Sequence, residues 1–134
     1  MSLTTDPEDP NLRVIEKSGQ QKAYLVLSDA ERARGFVRPV CQSYTHLKCG
    51  GVTTMGLAIA ETYARDPLFY GGTFCCICGS HFRLREFDKD RGEWAPAFLW
   101  TSDGTPVGST AEEAEAFLAA KREREATKNS GGGI

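Results

Sequence analysis

A chain of 134 residues, 40% of them hydrophobic, suffices for one domain with a modest core, and a domain of that size gains from a staple such as a bound metal. The net charge of −2 gives a whole-molecule field that attracts neither nucleic acid nor an anionic membrane. No apolar run is long enough to cross a bilayer, which excludes a spanning helix.

Residues 1–10 are acidic and interrupted by Pro7 and Pro10, which predicts a leader without fixed structure. Apolar residues at 12–16 and 23–27 flank Ser18, Gly19 and Gln20, a hairpin signal. Ser28 can cap one or two helical turns through Asp29, Ala30, Glu31 and Arg32, closed by Gly35. Residues 37–44 read as an extended arm leading to His46. Thr53 or Thr54 can then cap a helix over 54–65 with a buried stripe of Met55, Leu57, Ile59, Ala60 and Tyr63, ended by Asp66 and Pro67. Gly71 and Gly72 turn the chain into a short strand at Thr73 and Phe74, and Phe82, Leu84 and Phe87 alternate with charged residues as the returning strand. Residues 88–93 read as a charged loop. Beyond it, residues 97–100 and 105–107 flank Ser102, Asp103 and Gly104, a second hairpin signal, with Pro106 pushing its strand to an edge. Trp94, Phe98 and Trp100 are expected together in the core. Thr110 and Glu113 form a capping-box pattern opening a helix over 110–128, followed by a tail at 129–134.

Five cysteines, an odd number confined between Cys41 and Cys78, do not suit a secreted disulfide framework and point to the cytoplasm and to metal or redox chemistry. Four of the candidate ligands fall into two half-sites, His46-Leu47-Lys48-Cys49-Gly50 and Cys75-Cys76-Ile77-Cys78-Gly79. Each places two soft or borderline ligands three positions apart and follows the second with a glycine that lets the backbone turn under an ion. His46, Cys49, Cys75 and Cys78 together make a Cys₃His set that closes all four positions of a tetrahedral Zn²⁺. Cys76 reads as a packing residue. His81 or Cys41 could replace His46 as the fourth ligand, and sequence spacing leaves that choice open. A closed set provides no open position for a reacting water, so no enzymatic role is expected. The zinc deaminase pattern fails because Lys48 stands where its glutamate belongs and Phe74 where its proline belongs. A thioredoxin-like reading of the second half-site lacks the βαβ context.

Paired knuckles of this kind resemble the zinc-ribbon group, in which two knuckles at hairpin tips grip one ion. The resemblance covers about residues 46–87, and it implies a Zn²⁺ cofactor and a structural role for it. His46 in the first knuckle and a helix between the knuckles depart from the pattern and leave a treble-clef-like topology open. Runs at 35–40, 53–56 and 61–67 also resemble small bacteriophage and prophage proteins, which implies a mobile-element origin and the host cytoplasm. The fold class is α+β: a small antiparallel β-sheet with the two-knuckle site, one helix between the knuckles and a C-terminal helix, the stapled domain spanning 11–109. Arg32, Arg34, Arg38, Lys48, Arg83 and Arg85 make this middle segment mildly basic and are candidates for contact with a partner. The expected function is a zinc-stabilised module docking a protein, a host factor or defence complex among the candidates. The alternatives are a nucleic-acid-binding ribbon and a structural virion component.

Overall fold

The structure, a computed structural model, describes residues 2–132, with side chains as far as residue 127; Met1, Gly133 and Ile134 lie outside the described residues. Strand β1 (Ser2–Thr4) pairs in parallel with β2 (Ala23–Leu25), Ser2 opposite Ala23 and Thr4 opposite Leu25. The segment expected as an unstructured leader is therefore part of a sheet. Its acids and prolines serve local turns instead: the Asp9 side chain accepts from the Asn11 N–H and caps a 3-10 turn at Pro10–Arg13, with proline where no N–H is needed. The first expected hairpin is present as a short turn: the Glu16 N–H donates to the Gln20 carbonyl at 2.7 Å and the Lys22 N–H to the Val14 carbonyl at 2.8 Å, around an antiparallel bridge between Ile15 and Gln21. Helix α1 (Asp29–Arg32) follows, capped by Ser28 through the Glu31 N–H at 3.2 Å.

The centre of the fold is a three-stranded antiparallel sheet in the order β4 (Val52–Thr54), β3 (Ser43–His46), β9 (Phe98–Trp100). Alternation along β3 buries Tyr44 and His46 and leaves Ser43 and Thr45 on the other face. Register places Tyr44 opposite Trp100 and His46 opposite Phe98, so the buried face is a run of rings. Thr53 and Thr54 lie in β4 instead of capping a helix. Their β-branched side chains suit the strand, and Thr54 exchanges a hydroxyl hydrogen bond with Ser43 at 2.8 Å. Helix α2 (Leu57–Arg65) starts after Gly56 without a side-chain cap and buries Ile59, Ala60, Thr62, Tyr63 and Ala64. Met55 is buried ahead of the helix, and Leu57 faces solvent.

Two further hairpins follow, β5 (Gly72–Cys75) with β6 (Ser80–Arg83) and β7 (Arg85–Asp88) with β8 (Glu93–Pro96). Phe82 and Phe87 thus belong to different strands. Buried Leu84 joins the hairpins: its N–H donates to Gly71 O at 3.1 Å and its carbonyl accepts from the Ala97 N–H at 2.9 Å. The mixed α+β class holds, but the strands form four small sheets in place of one. Helix α3 (Ala111–Gly132) opens on the capping box, with the Thr110 N–H donating to Glu113 and the Glu113 N–H donating back to the Thr110 hydroxyl, and runs beyond the end expected at Lys128.

The core is organised by aromatic rings. Tyr44 meets Phe98 at 5.6 Å and Trp100 at 6.0 Å edge-on, and Trp100 meets Tyr63 at 5.6 Å. Phe98 is fully buried, whereas Trp94 is 62% exposed and packs edge-on against Phe87 across the β7–β8 hairpin at 5.4 Å. Trp94 is therefore no part of the core. It lies on a different ribbon from Phe98 and Trp100, which share one face of β9 by their spacing of two. Replacing Phe98 with Ala should cost about 3–5 kcal/mol in urea unfolding, while Trp94→Ala should change stability by no more than about 0.5 kcal/mol.

Candidate metal centre

Both half-sites sit at hairpin tips, the first between β3 and β4 and the second between β5 and β6. Their backbones follow the same path. The Gly50 N–H donates to the His46 carbonyl at 2.7 Å, and the Gly79 N–H donates to the Cys75 carbonyl at 2.8 Å. Both glycines are left-handed, φ +73° at Gly50 and +66° at Gly79, a conformation that strains a residue with a Cβ. Amides also point at the sulfurs: Gly51 N–H to Cys49 Sγ at 3.3 Å and Cys78 N–H to Cys75 Sγ at 3.4 Å. In each knuckle the first ligand, His46 or Cys75, ends a strand and is buried, and the second, Cys49 or Cys78, is exposed at the tip.

These four residues are brought together with all their ligand atoms within 4.8 Å of one another. Cys49 Sγ lies 3.5 Å from Cys75 Sγ and 3.5 Å from His46 Nδ1, and Cys78 Sγ lies 3.7 Å from the same Nδ1. An ion held at Zn–S and Zn–N bond lengths makes tetrahedral edges of about 3.8 Å between sulfurs and about 3.5 Å between sulfur and nitrogen. The donor set therefore fits a tetrahedral metal ion. Electrostatics agree. Burial holds the His46 imidazole below its ordinary pKa, which keeps a lone pair on the ring near neutral pH. Burial works to raise Cys75, but the N–H groups of Cys78 and Ile77 and the Cys49 thiol outweigh it and bring that thiol below its usual range. Cys78 is pushed up to about 11 by burial and by the Cys75 and Cys49 thiols. Thiols this close ionise together only when a cation offsets their mutual repulsion.

The imidazole is held by stacking. Phe98 stacks on it at 4.6 Å and Phe82 tilts against it at 4.6 Å, with the two phenyl centroids 6.5 Å apart and Lys48 Nζ 5.8 Å from the Phe82 ring centre. His46 Nε2 is the one buried side-chain nitrogen or oxygen among the described residues without a hydrogen-bond partner. A ligating histidine usually fixes its second nitrogen on an acceptor. Here the two phenyl rings fix the plane instead, a feature the spacing of His46 and Cys49 gave no sign of.

The alternatives lie elsewhere. Cys41 Sγ is 3.1 Å from Ser102 Oγ, and His81 Nε2 is 2.9 Å from the Tyr24 hydroxyl. Cys76 bridges the knuckles instead of packing inward: its N–H donates to Thr53 Oγ1 at 3.0 Å and its thiol to the Val52 carbonyl at 3.3 Å, with the residue exposed. Among the candidate contact residues, Arg32 pairs with Asp29 and Glu61, Arg34 with Glu31, Arg38 with Asp103 and Arg85 with Glu113. Arg83 and Lys48 form no ion pair with a described residue. Only Lys48 of the six lies within a knuckle.

No family model, curated protein or solved structure matches this chain, so its zinc-ribbon likeness rests on the half-sites and on their position at hairpin tips. No helix among the described residues is long and apolar enough to cross a membrane.

The glycine geometry sets a measurable cost. A Cβ at Gly50 meets nothing within 4 Å, and one at Gly79 meets only Ser18 O at 3.8 Å, so Ala at either is opposed by backbone strain alone. Each substitution should destabilise the protein by about 1–2 kcal/mol in denaturant titration.

Proposed function

We propose that the chain is a zinc-stabilised binding module, with His46, Cys49, Cys75 and Cys78 holding one structural Zn²⁺ and the knuckle tips docking a protein partner. The convergence of three thiols and one neutral imidazole at tetrahedral spacing carries the metal part of this reading. With all four positions supplied by the chain, the ion contributes folding energy rather than a reactive water. Soft thiolates beside one imidazole favour zinc over magnesium or calcium, which take oxygen ligands.

The docking part is supported by what the knuckles present. Leu47, Val52 and Ile77 are 52%, 51% and 66% exposed around the two tips, beside Lys48. Apolar side chains held out by a rigid staple suit a protein partner. The nucleic-acid alternative has weaker support, since four of the six candidate cations are already neutralised by carboxylates of the chain itself. A host factor or defence complex, or another phage component, would be the partner if the likeness to phage proteins holds.

Metal analysis of purified protein should give close to one zinc per chain, released together with the fold by a strong chelator or by acid, because protons compete for thiolate and imidazole. Cys49→Ser and Cys75→Ser should lose zinc, whereas Cys41→Ser, Cys76→Ser and His81→Ala should keep it. Zinc retained by His46→Ala but lost from His81→Ala would overturn the ligand set. For docking, Leu47→Ser combined with Ile77→Ser should abolish co-purification of a protein partner at unchanged zinc content. Steeply salt-dependent retention of an oligonucleotide would favour the nucleic-acid alternative instead.

A further inference from the structure

A cavity of about 270 Å³ opens between β2, β4, the start of α2 and the β5–β6 hairpin. The space is open to solvent on one side and is large enough to admit a small molecule. Its floor and walls are rings and apolar chains, among them Tyr24, Tyr63, Tyr70, Phe74, Met55 and Ile59. No Asp, Glu, Lys or Arg lines it. A charged molecule entering such a site would give up its hydration without a counter-charge. A flat ring would instead lie against π faces and the Met55 thioether, contacts that aromatic groups favour.

Most polar atoms of the wall are spent within the protein. The Tyr44 hydroxyl donates to the Phe74 carbonyl and accepts from Thr73, Tyr70 donates to the Leu25 carbonyl, and Gln21 donates to the Leu12 carbonyl. His81 is different. Its Nε2 is paired with the Tyr24 hydroxyl at 2.9 Å, the same hydroxyl accepts from the Gln21 N–H at 3.2 Å, and Nδ1 has no hydrogen bond to a described residue. Half-buried His81 is thus one wall residue with a polar atom not hydrogen-bonded to a described residue, as is Gln20 through its side-chain amide, and Tyr24 and the 5.3 Å contact with Phe74 hold the imidazole. An apolar cavity of roughly 150 Å³ takes a benzene ring, so this volume takes one ring or two fused ones.

We propose that this cavity is a binding site for a small, neutral, flat aromatic molecule whose faces lie on the tyrosine walls and whose single polar edge meets His81. The site shares β5 with the metal centre, yet the proposal does not rest on the zinc reading, because none of the four ligands lines the cavity. Affinity for free aromatic molecules would be an activity additional to docking at the knuckle tips.

The test uses full-length folded protein and four probes of similar size: indole, phenol, benzoate and benzylammonium. Saturation-transfer NMR should show indole and phenol binding, with the two charged probes at least about tenfold weaker. Methyl resonances of Met55 and Ile59 should shift with indole while those of Leu118 on α3 stay fixed. Ile59→Trp, which fills the space, should abolish binding, and His81→Phe should weaken phenol more than benzene, added as a fifth probe without a polar edge. Should Ile59→Trp fail to fold, the methyl shifts and His81→Phe decide the matter. Absence of indole binding at millimolar concentration, equal binding of charged probes, or shifts confined to residues outside the cavity would each overturn the proposal. Metal content is measured on the same samples, so failure of the zinc reading registers separately.

Discussion

Four donor atoms meet where two hairpins touch, and the rest of the middle of the molecule is arranged around that meeting. The β3–β4 and β5–β6 hairpins are separated in the chain by α2, and short strands paired two at a time are marginal on their own. What joins them is local and polar: the sulfurs and imidazole at tetrahedral spacing, the Cys76 N–H on Thr53, and the Tyr44 hydroxyl on the Phe74 carbonyl. Ile77 lies so close over Gly51 that a Cβ there would meet its Cγ1 at 2.2 Å, so the two tips are also fitted to each other sterically. An ion at the four donors would convert these weak contacts into one rigid unit.

His46 ties this unit to the core. Its imidazole continues the ring series that runs through Phe98, Tyr44, Trp100 and Tyr63, so the ligand plane is fixed by the same packing that holds the central sheet together. Stacking leaves Nε2 without a partner, an arrangement that costs about 1–3 kcal/mol for a buried polar group. Metal coordination at Nδ1 and the dispersion contacts of two phenyl rings are the terms available to offset it. Core and candidate site are thus one structure, and damage to Phe98 would be felt at both.

The cavity beside β5 belongs to the same frame from its other side. Thr73 and Phe74 line it, and the next residue, Cys75, enters the donor cluster. Burial raises the Tyr63 and Tyr70 hydroxyl pKa values above their ordinary range and that of Tyr44 to about 12, so the walls remain uncharged across the physiological range.

The half-sites, the C-terminal capping box and the α1 cap were legible in the chain, because each is a local pattern whose spacing fixes one turn of backbone. His46 and His81 were not separable by the same means, since each stands three residues from a cysteine. Only tertiary pairing decided between them: β3–β9 register puts His46 against Phe98 beside the sulfurs, while β6 turns His81 toward Tyr24. The parallel pairing of the first strand, the loss of Trp94 from the core, and the pairing of Arg38 with Asp103 and of Arg85 with Glu113 also depend on the folded arrangement, which composition does not encode. Sequence by itself therefore determined which atoms could bind a metal, through short-range geometry. Tertiary structure decided which of them meet and what surrounds them, because both depend on contacts across tens of residues that only the packed chain defines.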